Sequence, residues 1–507
     1  MPHQETVNKT WRWFWLFAAV HFILWTGVPM LTQRNAPLDS VEMLYWGHEW
    51  QWGYYKHPPL PAWAAESFAN LFGDPVWPTY LLSQICIVGC FWAAWTMGRD
   101  VLKPWEALAG VAVLELSLYH TVTTPEFNNN VMANALWAMF ALSLYRGIQR
   151  DRRFYWVFAG LSLGAAFLSK YDVVLLAFSL LVFSVVNRRA RARWKTPGPY
   201  LMIGTTLLLI APHLRWMVLN DFPTIQYVLR RSNVEHAWWN HIIYPFEFAG
   251  IQIAYMGVLL VMVVAALEFR FRIKPVDENA RFHRSYLSCV VLGPLAIALL
   301  FSALSGARLG YRWGCPMFTY LGVLWFSWFE VGRGELIYRR VVWMSAVVGL
   351  VLVVGLATRN QWGTRISGRP LRVDFPGERL ARRVETLWSD RTESPLRHVG
   401  GDWWIAGNIN VYHPARPSVF VGLNARYSPW VDDRMLMRNG GVLVWDPKHV
   451  EDDFERELRE RFPDAEILDP IELAWNKAPE LEPLRVSVAI ITTADEHVSD
   501  RPGHSRR

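Results

Sequence analysis

The sequence predicts a polytopic α-helical membrane protein with a small α/β domain at its C-terminal end. Three observations predict it. Of 507 residues, 52% are hydrophobic and only 19% charged, with 29 Trp, which is too apolar for a soluble protein of ordinary composition. Apolar runs of spanning length recur as far as residue 358. From Asn360 onward the composition turns abruptly to charged residues, turns and short strand-like runs.

In chain order, apolar runs read at about 11–31, 76–97, 107–120, 131–148, 155–169, 172–187, 199–219, 246–267, 285–304, 313–331 and 341–358, giving about eleven spans. The weakest are 107–120, interrupted by Glu115, and the tight pair flanking Lys170-Tyr171-Asp172. The first segment has no small-residue cleavage site behind it and reads as a retained signal anchor. Arg99 and Lys103, Arg146 to Arg153, Arg188 to Lys195, Arg270 to Arg284, and Arg333 to Arg340 fall on alternate loops. The positive-inside rule places those loops and the N-terminus in the cytoplasm. The first outer loop, 32–75, then shares the opposite side with Lys170, the 220–245 loop and the Arg308–Arg312 loop. An odd number of spans sends the chain after residue 359 there too.

The net charge of +7 is spread by topology rather than clustered on one face, which argues against nucleic acid as a partner. Four cysteines, all in apolar context, make no disulfide framework. The sequence divides into a membrane domain, 1–359, an α/β domain, 360–493, and a flexible tail, 494–507. Within the second, a helix runs from Phe375-Pro376-Gly377-Glu378 to Leu387 and a charged helix from Val450 to Phe462. Strands are expected at Arg397–Val399, Ser418–Val421, Gly441–Trp445 and Arg485–Ile491. Alternation of strand and helix predicts a partly parallel sheet. No glycine-rich phosphate loop appears, so nucleotide binding is not expected.

The first outer loop carries the chemistry-bearing residues: Asp39-Ser40-Val41-Glu42, then Gly53-Tyr54-Tyr55-Lys56-His57-Pro58-Pro59-Leu60 and Trp63. This pattern resembles the bacterial branch of the protein mannosyltransferase superfamily, glycosyltransferase family 39 with the GT-C membrane fold, to which the lipid A aminoarabinose transferases are related. Gly164 to Tyr171 and Arg312-Trp313-Gly314-Cys315-Pro316 fit the same pattern, so the resemblance covers roughly the first 330 residues. It implies a GT-C fold in a bacterial inner membrane and a glycosyltransferase acting on its periplasmic face. Lipid A, lipopolysaccharide core or another envelope glycolipid is the expected acceptor, with a protein Ser or Thr hydroxyl second. The competing class is a transporter or flippase, which often shows paired hydrophobic halves; no internal repeat is visible here.

Asp39 and Glu42 are three residues apart, which puts both carboxylates on one face of a helix. Taken alone they read as a solvated acidic face. The resemblance makes Asp39 the catalytic base, because an acceptor hydroxyl must lose a proton as it attacks an anomeric carbon, and makes Glu42 the second choice. Nucleotide sugars are absent outside the cytoplasm, so a polyprenyl-phosphate sugar is the expected donor. Its leaving phosphate calls for Lys or Arg, and the candidates are Lys56, Lys170, Arg308 and Arg312, with Arg230 and Arg231 behind them. The alternative for each is anchoring or snorkelling at the interface. His57, held by Pro58-Pro59, reads as a hydrogen-bonding brace beside Tyr55. Glu126 reads as helix N-terminal chemistry before the span at 131, with acceptor orientation as the alternative. Trp46, Trp50, Trp52 and Trp63 read as interfacial anchors. No metal or other cofactor is required by the sequence. Some GT-C enzymes do use a divalent ion, which Asp39 with Glu42 would hold.

Overall fold

The computed structural model describes residues 2–231, 237–266, 271–331, 335–448 and 454–492. Arg270, Arg333, the Arg231 side chain, the start of the helix expected at Val450 and the expected tail 494–507 lie outside the described residues.

The chain opens with α1 (Pro2–Thr32), α2 (Leu38–His48), α3 (Leu60–Phe72), α4 (Trp77–Val101) and α5 (Pro104–Ala112). It continues through α6 (Asn129–Arg150), α7 (Arg153–Ser169), α8 (Val173–Val186), α9 (Arg188–Ala192), α10 (Gly198–Leu219), α11 (Pro223–Arg231) and α12 (Asn240–Ala266). Strand β1 (Phe271–Ile273) precedes α13 (Glu278–Ser305), and α14 (Leu321–Trp328) runs into β2 (Phe329–Val331), which pairs antiparallel with β1. The last long apolar helix is α15 (Glu335–Ser367). Among the described residues, six helices are long and apolar enough to cross a membrane: α1, α4, α6, α10, α13 and α15. A seventh arises if α8 and the segment 188–195, bent by 86°, count as one span.

Every expected apolar run carries helix, but two are broken. The run 107–120 leaves α5 through a 3₁₀ turn at Val113–Leu116 and then loses helical form. Glu115 explains the break. Its carboxylate is buried and taken by His21 Nδ1 at 2.7 Å and by Trp25 Nε1 at 3.0 Å. His21 Nε2 lies 3.1 Å from Gln84, whose amide donates to Thr124. A carboxylate at membrane depth is tolerated where the bundle interior satisfies it, so the segment 113–128 is folded inward around that network. The run 313–331 begins as a 3₁₀ helix, Tyr311–Phe318, containing Pro316, which removes a backbone donor.

Two compact units emerge, and neither is continuous in sequence. One comprises residues 1–29, 56–61 and 80–356; the other comprises 30–55, 62–79 and the chain from Ala357. The second unit therefore takes in most of the first outer loop together with the C-terminal fold. That fold contains α16 (Gly377–Ser389), β3 (His398–Gly401), α17 (Trp403–Tyr412), β4 (Ser418–Val421), α18 (Asp433–Asn439), β5 (Gly441–Trp445), α19 (Phe454–Arg461), β6 (Glu466–Leu473) and β7 (Leu484–Ile491). The strand order is β4-β3-β5-β7-β6. Strands β4, β3 and β5 are parallel, while β7 runs antiparallel to both β5 and β6. One core joins Phe420, Leu436, Leu443, Trp445, Leu458, Phe462 and Ile491.

The partly parallel sheet matches the sequence reading, and three elements go beyond it. β6 contains Pro470 and a register irregularity between Leu468 and Ile471, which hides its alternation. α17 is short and carries no charged residue, and its start is marked only by Asp402, whose carboxylate accepts from the backbone of Trp404 and Ile405. α18 has a similar Asp432 cap on Met435.

Candidate functional site

Asp39 and Glu42 do lie on a helix. α2 is entered from Pro37 in extended conformation, and Asp39 in its first turn complements the positive end of the helix dipole. Residues 40–47 are buried, including Glu42 at 5% exposure, whereas Asp39 is half-buried. Burial, then the Glu42 carboxylate, pushes the Tyr45 phenol well above its usual range. Glu42 thus faces the interior of its unit, and Asp39 keeps access to solvent.

The far end of α2 is an ionic cluster. Glu66 of α3 lies 3.5 Å from His48 Nδ1 and 2.9 Å from Arg416 Nη2. Burial pushes its carboxyl up, but the hydrogen bond with His48 and the charge of Arg416 outweigh burial and hold it below the ordinary range. Next to it, burial pushes Glu49 up to about 7, against the lowering influence of Ser418 and His48. Its folded pKa therefore exceeds the unfolded one, so the stability it contributes is complete below about pH 4.3 and is lost as pH rises through about 7. Amide exchange across residues 44–55, corrected for the intrinsic rate, should be slower at pH 5.5 than at pH 8. Glu49→Gln should flatten that dependence, and an unaltered pH profile in the variant would remove Glu49 as its source.

Beyond α2, Tyr54 donates to Trp46 O and stacks on the Trp46 ring at 5.0 Å. Trp46 is fully buried, so it is a core residue and not the interfacial anchor expected. Trp50 and Trp52 are exposed, and Trp63 packs edge-on to Trp52 at 4.8 Å. Tyr55 is buried and stacks on Tyr427 at 4.5 Å.

Within the membrane-helix unit, Lys56 and His57 are half-buried on a turn made rigid by the buried Pro58 and Pro59. Arg312 and Glu126 are brought together, Nη2 to Oε2 at 3.0 Å. The N-terminal chemistry expected of Glu126 falls instead to Asn128, whose side chain accepts from the backbone of Asn130 and Val131. Around Arg312 stand three stacked tyrosines: Tyr119 and Tyr255 at 4.6 Å, and Tyr255 and Tyr311 at 5.5 Å. The Tyr119 hydroxyl lies 2.7 Å from Gln252 Oε1 and 2.8 Å from Tyr311 O, and its single proton serves one of the two.

Lys170 ends α7 in extended conformation. Its Nζ is 2.6 Å from Asp172 and 5.9 Å from the centre of the Trp313 ring. The contact with Asp172 is ionic without hydrogen-bond geometry, and neither group has another hydrogen-bond partner among the described residues. Arg308 is exposed, and its guanidinium is engaged by Glu247 at 3.0 Å. Arg230 is exposed near the end of α11. No group of three or more His, Cys, Asp or Glu among the described residues is disposed to hold a metal ion.

The structure therefore joins Arg312 to Glu126 and sets Lys170 against Trp313, the residue after Arg312. Asp39, Glu42 and Tyr55 belong to the other unit. Sequence reasoning gave no site role to Asp172, Tyr119, Tyr255 or Trp313, although Trp313 stands in the Arg312-to-Pro316 motif. Only Asp172 left a signal, since a second charge two residues from Lys170 between apolar runs suggests a pair.

Comparison with known proteins adds kinship. The family described as dolichyl-phosphate-mannose-protein mannosyltransferase matches residues 56–216. The lipopolysaccharide core galacturonosyltransferase RgtB of Rhizobium johnstonii is 22% identical over 87% of this chain and 88% of its own. RgtA of the same organism, also a lipopolysaccharide core galacturonosyltransferase, is 22% identical over 91% of this chain and 92% of its own. The crystal structure of ArnT from Cupriavidus metallidurans bound to undecaprenyl phosphate superposes with a TM-score of 0.63 at 15% identity, covering 95% of this chain and 98% of that one.

Proposed function

We propose that this chain, a GT-C-type membrane protein related to the lipid A aminoarabinose transferases, moves a sugar from a polyprenyl phosphate to an envelope glycolipid. Lipopolysaccharide core or lipid A is the preferred acceptor. The observation that carries this reading is kinship over nearly the whole chain, in membrane helices and C-terminal fold alike, with lipopolysaccharide core galacturonosyltransferases. Because those relatives are galacturonosyltransferases, galacturonic acid is the first sugar to try.

In the proposed reaction an acceptor hydroxyl attacks the anomeric carbon while its proton passes to the Asp39 carboxylate. The new C–O bond forms as the bond from the anomeric carbon to the phosphate oxygen breaks, and the polyprenyl phosphate departs with that bonding pair. Direct displacement inverts the anomeric centre. Asp39 suits the base because it is half-buried and reachable, whereas Glu42 is enclosed and suits orientation of α2. Lys170 and Arg312 supply positive charge for the phosphate as negative charge develops on it, with Lys56 of the same unit as a further candidate; Arg308 is already engaged by Glu247. Glu126 holds Arg312 in place. The basic-loop pattern supports the periplasmic face of the inner membrane as the side of this chemistry, with the N-terminus in the cytoplasm.

The test is a transfer assay in proteoliposomes with undecaprenyl-phosphate-linked, isotopically labelled galacturonate and lipopolysaccharide core, read by mass spectrometry. A gain of one sugar mass on the glycolipid is expected. Label on protein instead would favour an O-mannosyltransferase-like acceptor. Label that crosses the bilayer still attached to its lipid would favour a flippase.

A further inference from the structure

One short stretch of the C-terminal fold grips the acidic helix of the first outer loop along its whole length. At the entry to α2, the backbone N–H of Ala36 donates to the hydroxyl of Tyr412, at the end of α17, at 2.7 Å. At mid-helix, α17 passes so close at Gly407 that a Cβ there would lie 2.9 Å from Val41 Cγ1 and 3.0 Å from Tyr45 Cδ1. Any side chain at 407 would press on the Val41 and Tyr45 side chains of α2 and require them to give way. At the exit, Arg416, four residues beyond α17, reaches Leu44 O at 3.5 Å and Glu66 at 2.9 Å. Glu66 stands where α2 and α3 touch backbone to backbone, because a Cβ at Gly47 would be 2.2 Å from Ala62 O.

Arg416 is itself held in an unusual state. Its φ is +47°, a left-handed conformation that costs a non-glycine residue free energy and persists when surroundings determine it. Its Nε is buried without a hydrogen-bond partner among the described residues. Those costs are set against the contacts that its remaining nitrogens make with Leu44 O and Glu66. The same fold also presents Tyr427 to Tyr55, the residue before Lys56 and His57, and Trp430 to Tyr54 at 6.1 Å.

We infer that the C-terminal α/β fold is the positioning element of the transfer site: α17 and Arg416 fix α2, and thereby set where the Asp39 carboxylate stands. Gly407 and Arg416 are positioning residues, since neither acts on substrate. This inference rests on the reading of Asp39 as the base, and its test is built to fail separately.

In the full-length protein in nanodiscs, Arg416→Gln should leave amide exchange in β3, β5 and β7 unchanged and speed exchange across residues 38–48. Turnover should fall about ten- to a hundredfold, the effect of losing one charge-assisted contact, while KM for the polyprenyl-phosphate sugar stays within about threefold. Arg416→Lys, which keeps the charge, should recover most of the protection and turnover. Gly407→Ala should reproduce the Arg416→Gln signature without touching the ion pair. Unchanged exchange over 38–48, or loosened exchange with normal turnover, overturns the inference. General loss of protection in the sheet also overturns it, because the residues would then be holding the fold and not the helix. If Asp39→Asn stays active while Arg416→Gln loosens 38–48 and slows turnover, the base assignment fails and the brace stands.

Discussion

Asp39→Asn is expected to lower transfer by about 10² to 10⁴, the contribution of a positioned general base, while the protein inserts and folds as before. The side chain is half-buried in the first turn of α2, so the amide occupies the same volume, and the favourable interaction of a carboxylate with the helix N-terminus, about 0.3–1 kcal/mol, is given up. Donor binding should be little affected, because the base acts on the acceptor proton. The informative control is Glu42→Gln. Glu42 is enclosed beside Tyr45, so its loss should act through the placement of α2, with a smaller fall in turnover and faster amide exchange over 38–48. Normal turnover in folded Asp39→Asn, with abolished turnover in folded Glu42→Gln whose exchange is unchanged, would transfer the role to Glu42.

The parts of this protein that were legible in its sequence are those governed by local rules. Length and apolarity located the membrane helices, and short strand-like runs located β3, β4, β5 and β7. The three-residue spacing of Asp39 and Glu42 announced one helical face. What stayed hidden depends on partners distant in sequence. Nothing near Glu115 reveals that His21 and Trp25 will enclose it and break the run at 107–120. Nothing near Glu126 reveals Arg312, so the local expectation of N-terminal helix chemistry went to the wrong residue when Asn128 was the cap. Trp46 reads like every other tryptophan in an outer loop until Tyr54 folds back over it. The division of the chain was hidden for the same reason. A composition change marks the start of the soluble-like region, but the assignment of residues 30–55 and 62–79 to its unit rests on Arg416, Tyr412 and Gly407 meeting α2 and α3.

Lys170→Met is expected to slow transfer by about one to two orders of magnitude, the effect of withdrawing a charge-assisted contact from the departing phosphate, but that variant alone cannot carry the assignment. Its Nζ lies 2.6 Å from Asp172, whose side chain is 1% exposed. Methionine would leave that carboxylate buried and uncompensated, a situation that costs about 3–5 kcal/mol and lowers activity through instability. The double variant Lys170→Met, Asp172→Asn separates the two effects, since it removes both charges and leaves a neutral pair of similar size. A phosphate role has room in the geometry. A lysine ammonium has three donors, and its contact with Asp172 has no hydrogen-bond geometry. The double variant should therefore regain thermal stability relative to Lys170→Met yet remain slow, with weakened retention of undecaprenyl phosphate. Recovery of both stability and transfer would show Lys170 to be only the partner of Asp172. The phosphate would then depend on Arg312, already oriented by Glu126, and on Lys56.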